Sequence, residues 1–400
     1  MSWVTRREWL GALGAAAVFR GFADDRTGRI TRAIREFSDQ GIHRTGTPVD
    51  DRSAAWLARE VEGMGLAPSR ESFALSRVDP LDVFVEVGAR RIAGIPLFDG
   101  TFTAANGVSG LMGVAGSNTE IALLDLTPNS ADAGVVGSAR RSTAHKAIVC
   151  VTRGGRPGLC PSNADRFTAP FGPPVVQVSS EEGAWLLERA REGARATVVA
   201  VVNRTPATAD NVTATIAGRD RALPPLVVMT PRSGWYTCAS ERGGGIACWL
   251  ELMRALSQTK PARNVMFVAS SGHELGHLGI NAFVEKRPGI VSNAAGWIHF
   301  GANIGAATDP GNTVQSSDDE SEARLTRAMG VSGLTVDRRV PRGTVPGGEA
   351  EVVHRGGGRY VSVIGRNGLF HNPLDRGAAI VNAPVVARFI DAFIAVANSF

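Results

Sequence analysis

The chain has 400 residues, 44% of them hydrophobic and 20% charged, which excludes a disordered or fibrous protein and leaves room for one large domain and a smaller one. The balance is basic, 43 Lys+Arg against 38 Asp+Glu, yet lysine occurs only at Lys146, Lys260 and Lys286, and the arginines are scattered. No basic helix or Lys/Arg block is present to track a phosphate backbone, so nucleic acid is not an expected partner.

In chain order, the N-terminus reads first as a targeting segment. Arg6-Arg7 precede an apolar run from Leu10 to Phe19, and Gly21-Phe22-Ala23 supply small residues at a cleavage-site spacing. The apolar run is too short for a permanent span. The arginine pair resembles a twin-arginine export signal, so residues 1–23 are expected to direct the protein to the periplasm or the exterior. No later segment reaches membrane-spanning length.

Asp51 to Leu66 reads as a helix with Ala54, Leu57, Val61 and Met64 on one face, and strand-like runs follow at Leu81–Val87 and Ile92–Pro96. From about Gly110 to Thr205 short β runs alternate with Gly/Pro/Ser-rich turns and one helix, Glu181 to Glu192. This is the pattern of a small β-rich insert over residues 110–205, with 24–109 and 206–400 forming the main domain. From Asn211 onward strands and helices alternate. Leu226–Met229, Val265–Ala269, Trp297–Ile304 and Tyr360–Ile364 read as strands, and Gly245–Ser257 and Ala383–Phe400 as helices. Such alternation predicts an α/β fold, a mostly parallel sheet covered by helices on both faces. Pro310 to Glu320 reads as a solvated loop. Cys150, Cys160, Cys238 and Cys248 lack the CxxC spacing of a zinc ribbon. Disulfides Cys150–Cys160 and Cys238–Cys248 and buried free thiols are both open, as is the oligomeric state.

The densest chemistry lies in Val265-Met-Phe-Val-Ala-Ser-Ser-Gly-His273-Glu274-Leu-Gly-His277, where an apolar strand ends in a His-Glu pair. Open α/β sheets place their sites at such strand ends. His273 to His277 matches the HExxH string of helical zinc sites. A strand ending at Ser270 and a glycine inside the turn argue against the uninterrupted helix that this motif requires.

A broader pattern is Asn211-Val212 to Gly218, Leu226 to Met229, Ser240-Glu241-Arg242-Gly-Gly-Gly245, Gly272-His273-Glu274 and Phe370-His371-Asn-Pro-Leu-Asp375. In this order it resembles the co-catalytic di-zinc aminopeptidases, a group that includes carboxypeptidase Q-like enzymes, glutaminyl cyclases and nicastrin. The resemblance implies a zinc aminopeptidase-like α/β domain and makes the insert similar to a protease-associated domain. It also implies losses. Pro231 and Ala302 fall where the private ligands of one metal stand, and Glu241, Glu274 and His371 fall on the ligands of the other. The resemblance therefore implies one zinc ion on Glu241, Glu274 and His371, with His273 in the general-base position and Arg232 as an anchor for a substrate carboxylate. The expected substrate is a small molecule or peptide carrying an amide or related acyl group. Two alternatives stand beside this reading. One is a metal-free hydrolase using Ser233 with His273, and the other is a metal-free binding protein in which Arg232 and Arg242 neutralise Glu241 and Glu274. His43, His299 and His354 are expected to be structural.

Overall fold

The computed structural model describes residues 26–400, so the export signal expected over residues 1–23 lies outside the described residues. Residues 26–38 form helix α1, and Pro48–Glu62 forms α2, capped by the Thr47 side chain, which accepts from the Asp50 amide. Strands β1 (Ser69–Val87), β2 (Arg90–Pro96), β3 (Val108–Val114) and β4 (Ile121–Leu126) follow. Next come helix α3 (Gly134–Arg141), strands β5 (Ala147–Thr152) and β6 (Val175–Val178), helix α4 (Gly183–Arg191) and strand β7 (Arg195–Ile216). The second half runs β8 (Leu226–Pro231), α5 (Gly243–Thr259), β9 (Val265–Ser270), α6 (Leu278–Glu285), α7 (Ile290–Asn293) and β10 (Gly296–Phe300). It closes with β11 (Gly311–Ser316), α8 (Asp319–Val331), β12 (Arg338–Arg339), α9 (Ala350–Arg355), β13 (Tyr360–Arg366) and α10 (Ala383–Ala397).

Strands β8, β9, β10 and β13 are parallel, in the order β9-β8-β10-β13, with β7 antiparallel against β9 and β11 antiparallel against β13. The period-2 alternation of a strand divides their side chains between two cores. Leu226, Val228, Phe267, Ile298, Phe300 and Val363 pack with α1, α2, α5, α8 and α10, while Val227, Met229, Val268 and Trp297 pack with α6, α7 and α9. Burial on both faces explains why these strands are near-continuous apolar runs. The expected α/β architecture is therefore found.

Two elements differ from the sequence reading. The run at Leu81–Val87 and the residues on either side of the expected boundary at 205/206 belong to two very long strands, β1 and β7, which pair antiparallel from Ser69↔Thr213 to Val87↔Ala196. Their far ends join β2, β6, β5, β4 and β3 edge to edge, and the β1–β7 pairing closes a seven-stranded barrel. Helix propensities or turn residues could not reveal this, because pairing over that length is a tertiary choice. The segment Pro310–Glu320, expected as a solvated loop, instead contains β11. Val314 and Gln315 are buried, and Gln315 donates to Gly347 O and Ser362 Oγ, so hydrogen bonds compensate a polar strand that no hydrophobic pattern announces.

Candidate active site at the strand ends

The carboxyl ends of β8, β9, β10 and β13 open on one edge of the sheet, where Arg232, Ser233, His273, Glu274, Asn303 and His371 follow them. Helix α5 starts at the same edge. Gly244 lets it approach, since a Cβ there would lie 1.8 Å from Ile304 O. Asp375 accepts from Ser240 N at 2.8 Å and Glu241 N at 2.9 Å, fixing the turn ahead of α5. Cys238, His277, Asn303 and His371 all adopt positive φ without being glycine. Each such residue costs about 1–2 kcal/mol, and strain of this kind concentrates at functional sites.

Glu241, Arg242 and His371 converge in the interior. The Arg242 guanidinium lies 2.7 Å from Glu241 Oε1, and His371 Nε2 lies 3.3 Å from the same oxygen, all with side chains 0% exposed. Arg242 Nε donates to Ser233 O at 2.7 Å, but Nη1 and Nη2 have no aligned hydrogen-bond acceptor, and Glu241 Oε1 and His371 Nε2 are likewise without aligned partners. Burial pushes the Glu241 carboxyl up, but Arg242 and His371 together outweigh burial and hold it at about 2. Burial raises Asp375 to about 6, with Glu241 adding to the effect.

His273 does not continue a helix. It opens a 3₁₀ turn, His273–Leu275, flanked by left-handed Gly272 and Gly276, so the HExxH string has no helical face to use. Its Nδ1 lies 3.7 Å from Glu349 Oε1, an oxygen that also accepts from Ser270 Oγ. Burial first, then the neighbouring Arg242 and His277, push its pKa well below the usual 6.5, so the ring is neutral at neutral pH. His299 is a buried structural histidine, with Nδ1 2.8 Å from Ser362 Oγ.

The remaining expected residues are engaged elsewhere. Ser233 Oγ donates to Glu274 Oε2 at 2.6 Å and accepts from the Gly272 amide at 2.8 Å, so its nearest acceptor is a carboxylate rather than the His273 ring. The other Glu274 oxygen accepts from Thr45 N at 3.1 Å and Thr45 Oγ1 at 2.6 Å. Arg232 is fully buried. It pairs with Asp50 Oδ1 at 2.7 Å and donates to Asp210 O at 2.6 Å, which leaves it facing α2 and β7 rather than a ligand.

The three residues that the family resemblance makes zinc ligands do not fit a metal ion as arranged. Both Glu274 oxygens are committed to hydroxyl and amide donors, and a guanidinium already sits on Glu241 where a cation would bind. Among the described residues no group of three or more His, Cys, Asp or Glu side chains is arranged to hold a metal.

The barrel closes the site. The segment between β5 and β6 places Pro161 O 2.6 Å from His371 Nδ1, Ala164 N 2.9 Å from Glu274 O, and Leu159 O 2.8 Å from Tyr236 Oη. Within that segment Cys160 and Ala164 are buried. No local pattern announces this contact. Glu349, Thr45 and Asp50 were also missed; Gly347-Gly348 before a lone Glu349 is the only local hint.

Residues 211–339 match the family model described as Peptidase family M28. Among solved structures, the chain is similar to a zinc aminopeptidase from Bacillus subtilis (16% identity, TM-score 0.73, 94% of each chain covered). It is also similar to a peptidase M28 precursor from Shewanella amazonensis (15% identity, TM-score 0.73, 95% of this chain and 96% of that one). An aminopeptidase from an Aneurinibacillus strain matches at 15% identity and TM-score 0.69, over 93% of this chain and 92% of that one. No curated protein matches in sequence. The resemblance read from the motifs thus holds: the chain carries a peptidase family M28 segment on the zinc aminopeptidase fold.

Proposed function

We propose, from that fold and segment, that the chain is an exported peptidase-like hydrolase acting on a peptide, amide or related acyl group at the strand ends, with His273 as general base. The observation that carries the reading is a neutral, buried imidazole whose Nδ1 faces Glu349 beside the Glu241–Arg242–His371 cluster. In the proposed step a water oxygen bonds to the acyl carbon and His273 Nε2 takes the water's proton. The bond to the leaving nitrogen or oxygen then breaks, and that atom receives the proton from the imidazolium. Glu349 would favour the imidazolium as it forms. The barrel is assigned as a protease-associated-like domain beside the site.

One zinc ion remains the competing reading, favoured by the 3.3 Å approach of His371 Nε2 to Glu241 Oε1, both without aligned partners. The two are separated by assaying purified protein on aminoacyl and N-acyl anilides and esters, with and without chelator. The expected result is chelator-insensitive turnover that falls by roughly two to four orders of magnitude in His273→Ala. Turnover abolished by chelator would establish the zinc reading. No turnover on any substrate, with retained binding of a peptide, would make the chain a binding protein on this fold.

A further inference from the structure

We infer that Arg242 is a built-in replacement for a metal ion: its guanidinium provides the fixed positive charge of this site and excludes divalent cations from Glu241 and His371. The inference takes its location from the proposed site but not its chemistry. Four observations carry it. The guanidinium is 2.7 Å from Glu241 Oε1, and neither side chain is exposed. Its Nε is anchored on Ser233 O at the end of β8, so the head is held in place by the sheet. Nη2 sits against Glu241, while Nη1 is buried without an acceptor, so one charged donor group remains for an oxygen that enters the site. Glu274, the third residue of the expected ligand set, is bound by Thr45 and Ser233.

The physical consequence follows from charge. Glu241 and Arg242 neutralise each other, and a divalent ion placed on Glu241 would meet the guanidinium at close range in an interior where repulsion is poorly screened. A planar guanidinium with Nη1 unpaired can instead hold a carbonyl oxygen or the oxyanion formed from it, the electrophilic role a metal ion would otherwise serve. Arg242 would then touch the reacting acyl oxygen while His273 handles the proton.

The test reads metal uptake. Zinc is titrated calorimetrically into wild-type protein, Arg242→Ala and Arg242→Gln, and thermal midpoints are measured with and without zinc. Wild type is expected to take up no zinc and show no shift. The variants should bind one ion at least roughly 100-fold more tightly and gain thermal stability from it, because removing the guanidinium leaves Glu241 and His371 free to coordinate. Adding Glu241→Gln to either variant should remove the gain. Arg242→Gln leaves a neutral, shorter polar side chain in the interior, so the test survives if Arg242→Ala does not fold. One tightly bound ion per wild-type chain, lost on Glu241→Gln, overturns the inference, and so does a folded variant that binds none. An absence of wild-type turnover would defeat the hydrolytic reading without touching this result.

Discussion

Arg232 separates a structural role from a substrate-anchoring one, and its replacement has a calculable cost. Arg232→Ala removes the partner of a fully buried Asp50, which keeps only the Gly46 amide and Ser271 Oγ as donors. Breaking such a pair costs about 3–5 kcal/mol, because the remaining charge must stay unpaired or take up a proton. Burial already lifts the Asp50 pKa, and Arg232 opposes that lift, so the variant raises it further. The sign follows. With the folded-state pKa above the unfolded value, stability is lost as pH rises. Protonating Asp50 on folding, from an unfolded pKa of about 3.9, costs less at pH 5 than at pH 7. Urea unfolding at both pH values should therefore show a loss of about 3–5 kcal/mol at pH 7 that is smaller at pH 5. A loss below about 1 kcal/mol at pH 7, accompanied by weakened substrate binding, would refute the structural assignment and restore Arg232 as an anchor.

Three further outcomes are expected. All four cysteines are free and buried, and burial pushes the Cys150 thiol up to about 12. Native protein should thus react with no thiol reagent, and unfolded protein should expose four thiols without reductant; fewer would reveal a disulfide. Cys160 Sγ lies 3.6 Å from Asn372 Nδ2. An Asn372→Cys variant should therefore cross-link to Cys160 on oxidation and lose turnover until reduced, if the closing segment must move to admit substrate; turnover unaffected by the cross-link would show another route in. Replacing Arg6 and Arg7 by Lys should retain the precursor in the cytoplasm, and unchanged export on fractionation would remove the twin-arginine assignment.

The legible parts of the sequence were those whose physics is local. Strands β8, β9, β10 and β13 announce themselves as apolar runs because both faces are buried, and α10 by its inward stripe of Val386, Phe389, Ile390 and Phe393. His273, Glu241 and His371 were found because their motifs sit at strand or helix ends, and the structure brings Glu241 and His371 together. What the chain does not state locally was lost. The Arg232–Asp50 pair joins positions 182 residues apart, and the Pro161 carbonyl reaches His371 across 210. Of the ion pairs that the metal-free alternative expects, Arg242 with Glu241 is found, while Arg232 turns to Asp50, a partner distant in sequence.

The most direct test is anomalous diffraction at the zinc edge from crystals grown with zinc. The account predicts no peak bonded to Glu241, with the Arg242 guanidinium seated on Glu241 Oε1. A peak coordinated by Glu241, Glu274 and His371, with Arg242 displaced and Glu274 released from Thr45 and Ser233, would contradict it.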